Sequence, residues 1–340
     1  RGPTSRPTPG DEPPRAWGRP NPTAILLAMS VPSYHLVDRG DRRVLTVDGR
    51  EYETRYSERV IRLLIERKGA RRTPPYFGYK DTRGKHFLGP LFRYLRGRRV
   101  TGLSVLEVGC SFGHMTEYIA EQPEVAEIHT FDTDPVFVDI VRAKVEELGL
   151  DRVKAVTLLG NDETRRLPWP DGRFDLVLVV GVVEHLPLRN RRAQVDEYYR
   201  LVAPGGHIAI LDTPNRLFPV ETHSVGLPLV QWLPPRLAHV YARFGRPGRY
   251  RDVSYETFVA DGTGWRDATL ADCLPSGGAA ELADVTEEAG YGWRFFRDTA
   301  RSRTRHALLP VFAAAVAALR VFGHPPSLGL PYLNLLFRKL

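Results

Sequence analysis

Residues 105–113 read VLEVGCSFG and give the strongest indication of the fold. The apolar residues at 105, 106 and 108 predict a buried strand over 105–108, and a helix is predicted over 115–121. Between them lies a tight turn in which Gly109 and Gly113 can adopt positive φ and let a ligand approach the backbone closely. The helix that follows offers free N–H groups at its first turn. Taken alone, this unit fits either a ligand-binding turn or a plain connection between a strand and a helix.

Short apolar runs and helical stretches continue to alternate beyond this unit. The predicted strands lie at 128–131, 153–159, 176–180, 207–211, 293–296 and 332–337. The predicted helices lie at 136–148, 191–201, 279–289 and 308–322. Repeated alternation of strand and helix predicts an α/β fold with a mostly parallel sheet that is covered by helices on both faces.

Asp132 directly follows the predicted strand at 128–131. The carboxyl ends of parallel strands share one edge of a sheet, and ligands bind at that edge. A carboxylate at this position can accept hydrogen bonds from both hydroxyls of a ribose. Asp132 therefore favours the ligand-binding interpretation of the glycine turn.

Further motifs follow in a fixed order: FD at 131–132, ND at 161–162, LPWPDGRFDLV at 167–177, EHL at 184–186, LVAPGGH at 201–207 and TPNR at 213–216. With residues 105–113, this order resembles the class I S-adenosyl-L-methionine (SAM)-dependent methyltransferases, and most of all the small-molecule enzymes of the ubiquinone-biosynthesis type. The resemblance covers about residues 103–215 and the last strand. It implies a Rossmann-like, doubly wound, mostly parallel sheet of seven strands, SAM as cofactor, and methyl transfer to a small molecule.

The resemblance also implies which residues bind the cofactor. Gly109 and Gly113 would line its methionine part, Asp132 would hold the ribose, and Asp162 would take the adenine amine. The full predicted set is Glu107, Gly109, Cys110, Gly113, Asp132, Thr133, Asn161, Asp162 and Val182. Ser111 stands where the family often has glycine, and because serine tolerates positive φ less well, we expect a rearranged turn.

Glu184, His185 and His223 are the candidate catalytic residues. A neutral imidazole at His185, after the fourth strand, could remove the proton of a hydroxyl acceptor; alternatively the ring only packs or orients the loop. In ubiquinone-type relatives, an acidic residue three positions before the matching Glu-His pair helps to bind a divalent metal. Here that position is Gly181. We therefore predict no metal site and leave the need for a divalent metal open.

The chain divides into three predicted regions. Residues 1–22 are rich in proline and predict a disordered tail. Residues 23–102 predict an extension on the substrate side, with a hairpin near Asp48-Gly49 and a helix over 57–68. Residues 103–340 would form the SAM-binding domain, with an insert at 213–275 after the fifth strand. That insert brings Glu221 and His223 towards the substrate, unless it is an ordinary surface loop.

The composition of the chain bears on its partners and its cellular location. The 340 residues carry 48 basic and 40 acidic side chains, a net charge of +8, which suggests an acidic partner or simply an arginine-rich chain. Two cysteines exclude a disulfide framework and fit a cytoplasmic protein.

No nucleic-acid-binding module is recognisable, so we expect no nucleic-acid partner. We expect a hydroxyl on a natural product, glycan or lipid-linked compound as acceptor; N- or C-methylation, nucleic-acid methylation and a non-enzymatic SAM-fold scaffold are the alternatives.

Residues 301–340 contain six basic residues and no acidic ones. They include the apolar stretch 308–322, which is shorter than the ~20 residues of a membrane span. Such a segment can lie peripherally on an anionic membrane near a lipid-linked acceptor. Alternatively it packs over the sheet or forms the face of a homodimer.

Overall fold

A three-stranded antiparallel sheet comes first in the described part of the chain. The computed structural model describes residues 34–40, 42–278, 280–299 and 303–340, without the side chains of 303–305, so the predicted tail at 1–22 lies outside it. The strands are β1 (Tyr34–Asp38), β2 (Arg43–Val47) and β3 (Arg50–Thr54). Asp48 and Gly49 both take positive φ between β2 and β3, as a tight hairpin turn requires.

Two helices connect this sheet to the larger one. α1 (Glu58–Lys68) begins after Ser57, whose side chain accepts a hydrogen bond from the Val60 N–H, and it ends at Gly69. α2 (Lys85–Gly97) buries its apolar side chains against the larger sheet. The sequence pattern does not predict α2, because Pro90 inside it argues against a helix.

Five parallel strands form the centre of the larger sheet. The elements are β4 (Leu103–Val108), α3 (His114–Ala120), β5 (Val125–Asp132), α4 (Pro135–Leu148), β6 (Val153–Leu158), β7 (Phe174–Val180), α5 (Arg191–Leu201) and β8 (Val202–Pro214). These strands are paired in the order β6-β5-β4-β7-β8. Apolar clusters lie on both faces, one with α2 and α3 and the other with α5.

The remaining elements follow β8. They are α6 (Pro235–Gly245), α7 (Pro247–Tyr250), α8 (Tyr255–Val259), β9 (Leu282–Asp284), α9 (Trp293–Asp298), α10 (Arg303–Val321) and β10 (Tyr332–Lys339). β10 lies between β8 and β9 and is antiparallel to both. The sheet thus has seven strands and is mostly parallel, which confirms the predicted Rossmann-like fold.

Two predicted elements are wrong. The helix predicted over 279–289 is not formed, since residues 282–284 are β9 and pair with β10. The strand predicted over 293–296 is the helix α9, which begins after Gly292 and packs Trp293 and Phe296 against α10. In both cases contacts with elements distant in sequence outweigh the local pattern.

A buried ionic cluster ties the N-terminal segment to the larger domain. Glu117 of α3 and Lys144 of α4 are each 1% exposed, and Lys144 Nζ donates to Glu117 Oε1 over 2.7 Å. The Tyr56 hydroxyl donates to the same oxygen over 2.7 Å. Arg55 Nη2 lies 2.8 Å from the other oxygen. Apolar residues of the N-terminal segment and of α4 pack in one cluster with Phe112, so the N-terminal segment lies directly on the glycine turn.

Candidate functional site

The carboxyl ends of the five parallel strands place the predicted cofactor residues at one edge of the sheet. Gly109 and Gly113 both have φ of 74°. A Cβ on Gly109 would lie 3.0 Å from Val182 Cγ2, and a Cβ on Gly113 would lie 2.9 Å from Val141 Cγ2. Both positions therefore need glycine for conformation and for space. The contact with Val182 joins the turn after β4 to the loop after β7.

Ser111 keeps the left-handed conformation of this turn, with φ of 47°. Its backbone N–H donates to Asp132 Oδ2 over 2.9 Å. This hydrogen bond to the end of β5 helps to offset the cost of positive φ at a serine.

Asp132 is held between two loops. Besides Ser111, the Asp134 N–H donates to Asp132 Oδ1 over 3.0 Å. Burial raises the pKa of Asp132, and the hydrogen bonds from backbone N–H groups oppose that shift. Each carboxylate oxygen has a further lone pair, so both can still accept from a ligand hydroxyl. Asp134 itself caps α4 ahead of Pro135, as its place in the sequence predicts.

The other predicted cofactor residues differ in accessibility. Glu107 is buried on β4 and accepts from the Thr116 hydroxyl over 2.6 Å, and burial raises its pKa to about 7. Cys110 is buried too, and its N–H donates to the Phe131 carbonyl. By contrast, three predicted residues are exposed in the loops after β5 and β6, where they can meet a ligand: Thr133, Asn161 and Asp162.

His185 and His223 form a neutral imidazole pair beside this edge. His185 Nδ1 lies 2.7 Å from the Gly262 carbonyl oxygen. Because a carbonyl only accepts, Nδ1 carries the proton and Nε2 has the lone pair. His185 Nε2 lies 3.2 Å from His223 Nε2, so the His223 N–H donates to the lone pair of His185. Burial lowers the pKa of His185, and it lowers the pKa of His223 to about 4, so both rings are uncharged at neutral pH.

Glu184 lies next to this pair and is buried. Neither of its carboxylate oxygens has a hydrogen-bond partner among the described residues, and burial raises its pKa to about 8. One ligand atom each from Glu184, His185 and His223 lies within 4.8 Å of the others. Two imidazoles and a carboxylate are a donor set suited to a divalent transition metal. These residues thus fit a metal, although binding would require Glu184 to release its proton.

The structure adds residues that the sequence pattern does not single out. Asp212, at the end of β8, has φ of 54°, and burial raises its pKa to about 6. Arg83 of the N-terminal segment donates to Asp212 Oδ2 over 2.6 Å. Gly264 packs on the histidine pair, and a Cβ there would lie 2.9 Å from His223 Cδ2. Asp212 could have been found by the same rule as Asp132, since both stand at the carboxyl end of a strand.

Glu221 holds the loop that carries His223. Its carboxylate accepts from the backbone N–H groups of His223 over 2.6 Å, Ser224 over 2.5 Å and Gly226 over 2.6 Å. Glu221 is therefore occupied by the loop itself, and His223 is the residue of this pair that faces His185.

Asp267 is a buried acid below the site, and its carboxylate Oδ1 has no hydrogen-bond partner among the described residues. Burial raises its pKa from 3.8 to about 9. Between these values the unfolded chain releases a proton that the folded chain keeps, so this group makes the free energy of unfolding fall as pH rises. Asp267→Asn should remove that component, seen by urea unfolding across the pH range. The exposed Asp151→Asn is the control, and parallel curves for wild type and Asp267→Asn would contradict the assignment.

Comparison with known proteins finds similarity to methyltransferases. A family model described as a methyltransferase domain matches residues 105–206. The ubiquinone biosynthesis O-methyltransferase of Xylella fastidiosa is 29% identical over 167 residues, which are 48% of this chain and 63% of that protein. The chain thus spans less than two thirds of this relative's length. The demethylmenaquinone methyltransferase of Listeria monocytogenes is 26% identical over 196 residues, covering 56% of this chain and 71% of that protein.

A solved structure of a putative sarcosine dimethylglycine methyltransferase from Galdieria sulphuraria aligns with a TM-score of 0.42 and 14% identity, over 84% of this chain and 91% of that one. The matched residues 105–206 include the glycine turn, Asp132, Asp162 and the Glu184-His185 pair. Residues 105–206 thus match a methyltransferase domain, and the chain is distantly similar to ubiquinone and menaquinone methyltransferases.

Proposed function

We propose that the protein transfers the methyl group of SAM to a hydroxyl oxygen of a small molecule: a natural product, a glycan or a lipid-linked compound. The observation that carries this proposal is the position of the His185 lone pair. Val182, which contacts Gly109 of the glycine turn, is three residues before His185. A hydroxyl acceptor beside His185 would thus lie next to the cofactor turn.

His185 would act as the general base. Bound SAM supplies an electrophilic methyl group on a sulfonium centre. As the acceptor oxygen formed its bond to the methyl carbon, the bond from that carbon to sulfur would break with its electron pair remaining on the sulfur, and the hydroxyl proton would pass to His185 Nε2. The hydrogen bond from Nδ1 to Gly262 fixes the tautomer and orients the ring for this transfer. His223 Nε2–H donates to the same lone pair, so the acceptor hydroxyl would replace this hydrogen bond, and both rings would border the acceptor.

The cofactor part of this proposal predicts the behaviour of Asp132. Asp132→Ala removes the acceptor for the ribose hydroxyls and should weaken SAM binding by about 1–3 kcal/mol, or roughly 5–150-fold. Isothermal titration calorimetry measures this directly. Asp151→Ala, an exposed acid away from this edge, is the matched control. Unchanged affinity in Asp132→Ala would reject the cofactor assignment.

The acceptor itself is identified by incubating the enzyme and methyl-labelled SAM with a cell extract and finding the labelled product by mass spectrometry. A label on oxygen supports the proposal, and a label on carbon or nitrogen contradicts the hydroxyl assignment. Labelled nucleic acid would contradict the small-molecule acceptor. This readout is independent of the calorimetry, which reports the cofactor alone.

We also propose that the basic C-terminal segment, residues 301–340, contacts a membrane or a second copy of the chain in a homodimer. The side chains of Arg303 and Arg305, and all of Arg301, lie outside the described residues. Val316 of α10 packs with Phe296 of α9, as a helix covering the domain would. Within the described ranges, no helix is both long and apolar enough to cross a membrane.

A further inference from the structure

Helix α6 of the insert has two apolar faces. On one face, Ala238 and Ala242 are buried in a cluster with Val230, Phe258 and Trp265. The opposite face carries three large apolar side chains that remain exposed: Leu237 at 57%, Val240 at 48% and Phe244 at 82%. We call these three residues the insert stripe. A helix that is apolar beyond its buried face normally has a further partner.

The insert stripe is continuous along the helix. Its residues are spaced three and four apart, so they lie on one side of α6. Single exposed apolar side chains are common on protein surfaces, but aligned ones mark an interaction surface. Trp232, just before the helix, is exposed as well.

Basic residues surround the stripe without acidic partners. Five exposed arginines lie on or just after α6: Arg236, Arg243, Arg246, Arg249 and Arg251. The sequence from 222 to 251 contains no aspartate or glutamate. Within the described residues none of these five arginines forms an ion pair with a carboxylate. On the N-terminal hairpin, in contrast, Arg39 and Arg42 lie within 3.6 Å and 3.3 Å of Glu51 and Glu53.

Two of these arginines share a surface hollow with the stripe. Arg243 and Arg251 line it together with Val240, Phe244 and Pro247. Arg243 donates from Nε to the Arg251 carbonyl, which holds this corner together. Positive charge and apolar side chains therefore meet at one place on the surface.

We propose that the insert stripe and its arginines dock on the surface of an anionic lipid bilayer. Apolar side chains of a surface helix enter the boundary between headgroups and acyl chains. Each arginine near an anionic surface strengthens binding roughly fivefold. With 11 residues, α6 is too short to span the bilayer, so it lies in the plane of the interface.

The alternative partner, a second copy of this chain, fits less well. Two copies that met across α6 would bring unpaired arginines of like charge together, whereas anionic lipid neutralises them. Three side chains are also a small area beside the ~1,200–2,000 Å² of a stable protein interface.

Docking at this surface has a consequence for the acceptor, and this consequence rests on the proposed function. His223 belongs to the same insert as α6, and it lies against His185. Docking through α6 would therefore hold the insert that carries His223 at the bilayer surface. An amphiphilic acceptor with its hydroxyl at the headgroup level could then reach His185 without leaving the membrane.

Co-sedimentation with vesicles tests the docking. The protein is spun with phosphatidylcholine vesicles, with and without phosphatidylglycerol, at low and at high salt. We expect binding only to the anionic vesicles and a loss of binding at high salt. Val240→Ser/Phe244→Ser and Arg243→Glu/Arg251→Glu should each lower binding at least about tenfold. The matched control, Lys154→Glu/Leu158→Ser, changes one basic and one exposed apolar residue on β6, at the far edge of the sheet, and should bind as wild type.

Three results would overturn the docking proposal. They are wild-type protein that stays in the supernatant, insert variants that sediment like wild type, and a wild-type dimer in gel filtration that the insert variants convert to monomer. Calorimetry with SAM is run on the same samples. Because none of the proposed SAM-binding residues lies on α6, a failure of docking and a failure of the methyltransferase assignment are distinguishable. Retained SAM binding also shows that the variants are folded.

Discussion

Replacing His185 by alanine is expected to lower the rate of methyl transfer by about 10²–10⁴-fold, the usual loss when a general base is removed. The reason lies in the tautomer. His185 donates from Nδ1 to Gly262, which leaves the lone pair on Nε2, where an acceptor hydroxyl would replace the hydrogen bond from His223. SAM binding should change little, because the ring does not belong to the cofactor turn. The rate is measured with labelled SAM once an acceptor is known, and the affinity by calorimetry.

The pH dependence separates a base from a merely structural residue. Burial holds the pKa of His185 below its usual value, so the rate of the wild-type enzyme should be level at neutral pH and fall only in acid. His35→Ala, on the exposed first strand of the hairpin, makes the same substitution away from the site and should leave the rate unchanged. Full turnover of His185→Ala at every pH would show that no base is needed and would reject the role.

Lys144→Met is expected to lower the free energy of unfolding by about 3–5 kcal/mol. The substitution leaves the Glu117 carboxylate buried without its lysine, and the remaining cation, Arg55, is about half exposed. Burial opposes the charge on Glu117, yet Lys144 and the surrounding hydrogen bonds hold the pKa of Glu117 below its usual value. Loss of that support is the largest single destabilisation we expect, and urea unfolding measures it.

Two further variants interpret that result. Arg59→Met breaks an exposed ion pair with Glu146 and should cost no more than about 1 kcal/mol. The double variant Glu117→Gln/Lys144→Met leaves no buried charge at this place and should recover part of the loss. If the single substitution costs no more than Arg59→Met, the buried pair does not anchor the N-terminal segment.

Much of the fold is predictable because its signals are local. The glycine turn at 109–113 and the capping residues Ser57 and Asp134 each depend on a few neighbouring residues. Strand ends likewise locate Asp132 and His185. The element at 282–284 is different, because it becomes a strand only through pairing with β10, to which its own residues give no clue.

The candidate site is predictable only in part, for the same reason. Each of its histidines can be noticed in the sequence, but their pairing joins residues 38 positions apart. The ion pair of Arg83 with Asp212 joins residues 129 positions apart. The buried state of Glu184, which raises its pKa, also depends on how the insert folds back over the sheet. Such long-range contacts are set by tertiary packing, which a single sequence does not display.

The position of β10 has a consequence for biosynthesis. β8 ends at residue 214, but among the described residues one of its edges pairs only with residues 332–338. A chain emerging from the ribosome in order therefore carries the cofactor strands with an open edge while the insert, α9 and α10 are still being made. During that interval the nascent protein presents unpaired backbone groups next to apolar residues, a target for chaperones and a risk of misassociation with neighbouring chains. Pairing of β10 with β8 then covers that edge.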